Sequence, residues 1–240
     1  MYLSIADIYG DLFPLPPERI DFVDDTVVGK RPMVLDVGCA TGDFPLALAK
    51  RGYRVTGIDP DARMIEVAKQ NARGLENPPE YYRMGMLDIK ALNRSGFDSI
   101  CCFGNTLPHL SVFEEIDTFL GLCRDNLAGG GVLILQIINF DRILGMSHYL
   151  FPEIDIPDYI FRRRYSDISD SAVSFHTELV SKTTGETRLS TIRLLPVTRT
   201  VIEEKAEQNG FSRPEVYADY RKTPFRGDET AALYVSYPLS

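Results

Sequence analysis

Val34-Leu35-Asp36-Val37-Gly38-Cys39-Ala40-Thr41-Gly42 reads as an apolar strand running into a glycine-bearing loop, with Asp43 next in line to cap a helical segment. In an open α/β sheet, ligands settle beyond the carboxyl ends of the strands, so this loop is where a ligand is first sought. Gly38 and Gly42 permit backbone conformations and a close ligand approach that a Cβ would obstruct. Ala40 stands where a third glycine often occurs, so its backbone is expected in an ordinary region.

The dinucleotide fingerprint G-x-G-x-x-G would put glycine at position 43, where this chain has Asp43. A pyrophosphate over that helix N-terminus would be repelled by the carboxylate, whereas a cationic sulfonium ligand would not. Gly57-Ile58-Asp59-Pro60 then ends the next strand, and Asp59 lies roughly 20 residues after Gly38, the spacing of an acid that grips ribose hydroxyls. The alternative role for Asp59 is to cap the following helix. Gly85-Met86-Leu87-Asp88 offers an acid for an adenine amino group and apolar side chains for its faces. Met64 is a candidate for the opposite face, with core packing as the competing role.

From about residue 32 to 140, short β-rich apolar runs alternate with helical segments, the pattern of a parallel sheet with crossover helices. Strands are expected near 33–37, 53–58, 80–85, 97–103 and 131–138. Gly52 is expected to end the first helix, and Ile65, Ala68 and Ala72 share a face in the second. Ser111-Val112-Phe113-Glu114 matches a capping box for a third helix, which Gly129-Gly130-Gly131 is expected to stop. Beyond residue 150, Ser171 to Lys182 and Glu186 to Val197 alternate polar and apolar residues around Thr183-Thr184-Gly185, as a hairpin does. Val201 to Asn209 reads as a helix and Ala231 to Tyr237 as a last strand of the main sheet. Upstream, Pro14 and Pro16-Pro17 separate a Tyr2 to Tyr9 segment from a helix expected over Glu18 to Val28.

With 240 residues, 44% hydrophobic and 25% charged, the chain is in the range of a folded domain carrying an insertion. No run reaches the roughly 18 apolar residues of a membrane span, and no basic secretory start is seen, so a cytoplasmic address is expected. Cys39, Cys101, Cys102 and Cys123 form no C-x-x-C pair, which indicates neither a metal site nor a disulfide framework. A net charge of −8 argues against a broad nucleic-acid surface. Arg162-Arg163-Arg164 is the one basic cluster, and strand alternation turns its middle arginine away from the other two. His176, between Ser and Thr neighbours in the hairpin, is expected to face solvent.

Taken in order, Val34 to Gly42, Asp59, Asp88, Phe97 to Phe103 and Leu127 to Ile138 resemble the motifs of class I methyltransferases that use S-adenosylmethionine. The resemblance implies an α/β fold, doubly wound and Rossmann-like. Its mostly parallel seven-stranded sheet would carry a small antiparallel β insertion after the fifth strand. The corresponding division is 1–30 as an N-terminal helical cap, 31–150 and 198–240 as the cofactor-binding core, and 151–197 as a lid-like insertion. It further implies that Asp36, Gly38 and Ala40 lie by the methionine part of the cofactor, that Asp59 binds ribose, and that Asp88 with Leu87 contacts adenine, while Gly42, Pro60, Met64 and Phe103 are further candidate cofactor contacts.

Phe103-Gly104-Asn105-Thr106-Leu107-Pro108-His109-Leu110 is similar to the G-N-S-x-x-H-L segment of glycine and sarcosine N-methyltransferases. That similarity puts Asn105 and His109 at the reacting group, with His109 either accepting a proton or serving as a structural partner. Asn139 and Tyr9, with Tyr2, are further candidate contacts to the substrate. Those enzymes hold the amino acid's carboxylate with an arginine where this chain has Ile138, a departure that argues against glycine. The expected activity is methyl transfer to a small molecule, at nitrogen, with a homodimer compatible. The rivals are a methyltransferase of RNA or protein anchored by Arg162 to Arg164, and a noncatalytic cofactor-binding module.

Overall fold

The computed structural model describes residues 5–239. In chain order, α1 (Tyr9–Leu12) and α2 (Pro17–Asp24) precede β1 (Met33–Val37), α3 (Asp43–Lys50), β2 (Arg54–Asp59), α4 (Ala62–Asn71) and β3 (Glu80–Arg83). Next come β4 (Phe97–Cys102), α5 (Glu114–Asn126), β5 (Leu127–Ile138) and α6 (Phe140–Ile143). A run of strands follows: β6 (Tyr149–Leu150), β7 (Ile154–Ile156), β8 (Tyr159–Ser166), β9 (Val173–Ser181) and β10 (Thr187–Leu194). The chain closes with α7 (Arg199–Gln208), β11 (Glu215–Tyr217) and β12 (Ala231–Ser236). Among the described residues, no helix is long and apolar enough to cross a membrane.

The main sheet has seven strands in the order β11-β12-β5-β4-β1-β2-β3. β1 to β5 are parallel, while β12 runs antiparallel to β5 and β11 to β12. This is the doubly wound, Rossmann-like arrangement expected. Strand order reverses between β1 and β4, the place where loops diverge and leave a crevice. Alternation within β1 feeds two cores: Leu35 and Val37 pack with Phe119 of α5 and Ile202 of α7, whereas Val34 packs with Phe22 of α2 and Phe44 and Leu48 of α3. Both faces are therefore covered, as a parallel sheet requires.

The second sheet has the order β10-β9-β8-β6, with β7 also pairing to β8. Thr183-Thr184-Gly185 turns β9 into β10, placing Thr187 opposite Val180. On β8, Phe161 and Tyr165 are buried and alternate with the exposed Arg162 and Arg164. β6 already belongs to this sheet, so the sheet starts at Tyr149, two residues before the expected boundary at 151.

Local details differ from expectation for physical reasons. Ala40 adopts a left-handed φ of +46° because Gly38 and Cys39 both donate to Ile58 O (2.8 and 3.0 Å) and Gly42 N returns to Cys39 O (2.9 Å), winding the loop tightly. Gly42, not Asp43, is the N-cap of α3, and Asp43 accepts from Thr41 Oγ1 at 2.7 Å. α5 begins at Glu114 without a side-chain cap, and Ser111 N donates instead to Glu115 at 2.7 Å. The glycine run does not stop α5, which ends at Asn126. It lies inside β5, where a Cβ on Gly131 would stand 2.8 Å from Phe97 O at a register shift against β4. α2 ends at Asp24, short of the expected Val28.

Gly42 (φ +80°) would place a Cβ 2.5 Å from the Tyr81 hydroxyl, whereas Gly52 (φ +92°) faces open space. Left-handed backbone alone costs about 1–2 kcal/mol for a residue with a Cβ. Gly52→Ala is expected to lose about that much stability in thermal unfolding, a Tm drop of roughly 2–6 °C. Gly42→Ala should lose distinctly more, because Tyr81 must also give way. Equal losses would remove the packing constraint.

Candidate active site

A cavity of about 850 Å³ opens where the loops after β1, β2, β3 and β4 converge under the second sheet and the N-terminal segment. Its floor is the loop after β1. A Cβ on Gly38 (φ +79°) would lie 2.5 Å from the Thr106 side chain, so this glycine lets the β1 and β4 loops touch. Asp59, ending β2, accepts from Ala40 N (3.1 Å) and Asp61 N (2.9 Å), while Asp61 itself caps α4 through Arg63 N and Met64 N. Burial pushes the Asp59 carboxyl above its ordinary value, and the two N–H donors pull it down.

Asp36 is buried at the floor, and its carboxyl is pushed up to about 7 by burial against the pull of Arg19, with Asp59 adding to the rise. Arg19, on α2, packs against Phe103 and Tyr220 (5.1 and 5.4 Å to the ring centroids) and donates to Tyr220 Oη at 2.9 Å. This arginine was not singled out in the sequence, since nothing about an isolated cation in an N-terminal helix predicts what it packs against. Tyr9 also lines the cavity, its hydroxyl raised to about 12 by burial and then by Asp59. Tyr2 lies outside the described residues.

Beyond Asp59, Pro60, Met64, Leu87 and Asp88 all face the cavity. Met64 serves core and cavity at once, being 9% exposed and packed with Ala40 and Phe161. Asp88 accepts from Gly85 N at 3.2 Å and holds the turn after β3.

Across the cavity, Asn105 (φ +63°) accepts from Ile138 N at 3.0 Å and donates to Tyr165 Oη at 3.4 Å, joining the main sheet to β8. His109 shows its surface to the cavity and is otherwise ringed by protein, and this enclosure pushes the imidazole down to about 4.

Two expected site residues lie elsewhere. Gly42 does not line the cavity, and its carbonyl accepts from Tyr81 Oη at 3.1 Å. Asn139 is buried and spends its amide on Gly227 O (2.8 Å) and Glu229 O (3.0 Å), closing the C-terminal segment onto α6. His176 is half-buried and partly open to solvent, with Ser166 Oγ at 2.8 Å and Thr191 Oγ1 at 2.9 Å on its two ring nitrogens.

Residues 34–131 match the methyltransferase domain family. That segment holds the β1 loop, Asp59, Asp88 and Asn105 together. The chain is 35% identical over 116 residues to a glycine/sarcosine N-methyltransferase of Parasynechococcus marenigrum, covering 46% of this chain and 39% of that protein. It is 30% identical over 133 residues to a ubiquinone biosynthesis O-methyltransferase of Chromobacterium violaceum, covering 55% of each. The chain thus spans about half the length of the curated relatives it matches. Across nearly the whole chain, the fold superposes on the CcbJ methyltransferase from Streptomyces caelestis with a TM-score of 0.82 at 21% identity, over 98% of this chain and 96% of that one.

The cavity offers several kinds of contact to a ligand. Asp59 reaches it with a carboxylate, Met64 and Leu87 give apolar walls beside Asp88, and Arg19 and Asp36 set opposite charges at one end. In the methyltransferase domain, His109 is expected to titrate near 4 by NMR, staying neutral throughout the physiological range. A midpoint near 6.5 would mean the ring is not enclosed.

Proposed function

We propose that this protein is an S-adenosylmethionine-dependent methyltransferase of a small molecule, acting at nitrogen. The observation that carries the reading is one cavity with two chemically distinct halves, a charged half at the switch point lined by Asp36, Asp59 and Arg19 and an aromatic half roofed by the second sheet. When bound, the cofactor supplies an electrophilic methyl group on a sulfonium sulfur. The carboxylate of Asp59 can accept from both ribose hydroxyls. Arg19 and Asp36 are matched to the carboxylate and ammonium of an amino-acid group, and Asp43 keeps the α3 terminus hospitable to cations.

In the aromatic half, Asn105 fixes geometry more than it takes protons, since its carbonyl holds Ile138 N and its amide reaches Tyr165. Much of the acceleration of a methyl transfer comes from holding the nucleophile in line. His109, neutral at pH 7, accepts a hydrogen bond from an amine N–H but is too weak a base to deprotonate an ammonium group. The acceptor therefore enters as its free base. A small acceptor is also favoured over RNA or protein because the basic cluster is divided: Arg162 pairs with Glu153 at 2.5 Å and Glu178 at 3.6 Å, while Arg163 turns inward.

Asp59→Ala is expected to weaken S-adenosylmethionine binding by about 2 kcal/mol, roughly 30-fold in calorimetry. Unchanged affinity would sink the ribose assignment. Asn105→Ala should keep cofactor affinity and lower turnover with a metabolite pool and labelled cofactor, and absence of any labelled product from the wild type would favour a binding module. The kcat/KM profile should rise with pH through the acceptor amine's own pKa, with the same midpoint in His109→Gln. The His109→Gln loss should fall below the roughly 10²–10⁴-fold that removal of a general base costs.

A further inference from the structure

Arg163 points into the aromatic half of the cavity from the same face of β8 as the buried Phe161 and Tyr165. Its guanidinium carbon lies 5.3 Å from the Phe13 ring centroid, 5.0 Å from Phe151 and 5.9 Å from Phe161. It donates to Pro152 O through Nη2 at 3.3 Å. Its Nε is the one buried side-chain nitrogen or oxygen among the described residues with no hydrogen-bond partner. The groups acting on its charge are the phenols of Tyr165 and Tyr149, with no carboxylate among them, and burial holds its pKa below the ordinary arginine value. Arg162 next to it is exposed and paired to glutamates, as a structural surface arginine would be.

A buried cation is costly unless paired, and aromatic faces compensate its charge without using its in-plane N–H donors. The guanidinium is therefore a planar fork with unspent donors, set in an apolar wall, the arrangement that receives a carboxylate through two parallel hydrogen bonds. A phosphate would bring a second negative charge with no second cation beside Arg163 to meet it, as Arg19 is engaged at the far end with Asp36 and Tyr220. Two residues along β8, roughly 7 Å by strand geometry, Tyr165 touches Asn105. Anion site and reacting group are thus spaced for one small molecule.

We propose that Arg163 binds a carboxylate of the methyl acceptor, making the substrate class an amine that carries a carboxylate and an apolar or aromatic body. This rests on the small-molecule methyltransferase reading above. Since Ile138 stands where the similar N-methyltransferases hold a carboxylate with arginine, the charge would be met here from the opposite wall.

The test is calorimetry on the full chain saturated with S-adenosylhomocysteine, using three carboxylate and amide pairs: phenylacetate and phenylacetamide, phenylalanine and phenylalaninamide, anthranilate and anthranilamide. At least one carboxylate should bind the wild type about tenfold tighter than its amide, with the preference abolished in Arg163→Leu and partly retained in Arg163→Lys. A wild-type preference under about threefold in all three pairs would overturn the proposal, and that comparison needs no variant to fold. So would an undiminished preference in either variant, or phenyl phosphate binding more tightly than every carboxylate. Failure of S-adenosylhomocysteine itself to bind would bring down the methyltransferase reading and this proposal together, whereas normal binding without carboxylate preference removes Arg163 alone.

Discussion

Gly38 meets the Thr106 side chain where the strand order reverses, and an added Cβ would come within 2.5 Å of it. Parallel neighbours β1 and β4 send their helices to opposite faces of the sheet, so their loops diverge and open a crevice. Contact at its floor decides how deep that crevice is. With Gly38 at φ +79°, the following turn places Ala40 N on the Asp59 carboxylate, and Thr106 in turn donates from Oγ1 to Phe103 O at 2.7 Å. The Asp59 carboxylate, the Phe103 wall and the Asn105 loop therefore descend from one close approach.

Charge is distributed along the cavity in a matching way. Asp36, Asp43 and Asp59 surround the end facing α3, with Arg19 beside them, while the far end is aromatic and holds Arg163. Low exposure acts on both ends: burial raises the Asp36 carboxyl to about 7 against the pull of Arg19, and it holds His109 deprotonated. Carboxylates thus gather at one end of the cavity and the Arg163 guanidinium stands among rings at the other.

The hairpin and the β1 loop were legible because each depends on neighbours in sequence: Gly185 for a left-handed turn and Gly38 for the loop. The capping box at Ser111 misled because Glu115, one position later, was better placed to take its N–H. The glycine run misled for a different reason. Gly129 to Gly131 look like a helix stop, yet Gly131 is needed for close backbone approach to Phe97 across the sheet. Asn139 followed a family pattern that this chain redirects toward Gly227 and Glu229, which lie some 90 residues on in sequence.

Sequence alone determined the alternation of strands and helices and the switch-point loop, because these arise from periodicity and backbone freedom. Only the tertiary structure decided what meets across the cavity. Arg19 and Phe103 are 84 residues apart, and Asn105 and Tyr165 are 60. The alternation of β8 indicated that Arg163 faces away from Arg162 and Arg164, but not that three aromatic rings would strip it of water and leave its Nε unpaired. Local rules set the direction in which a side chain leaves its strand, while its partners depend on packing between segments remote in sequence.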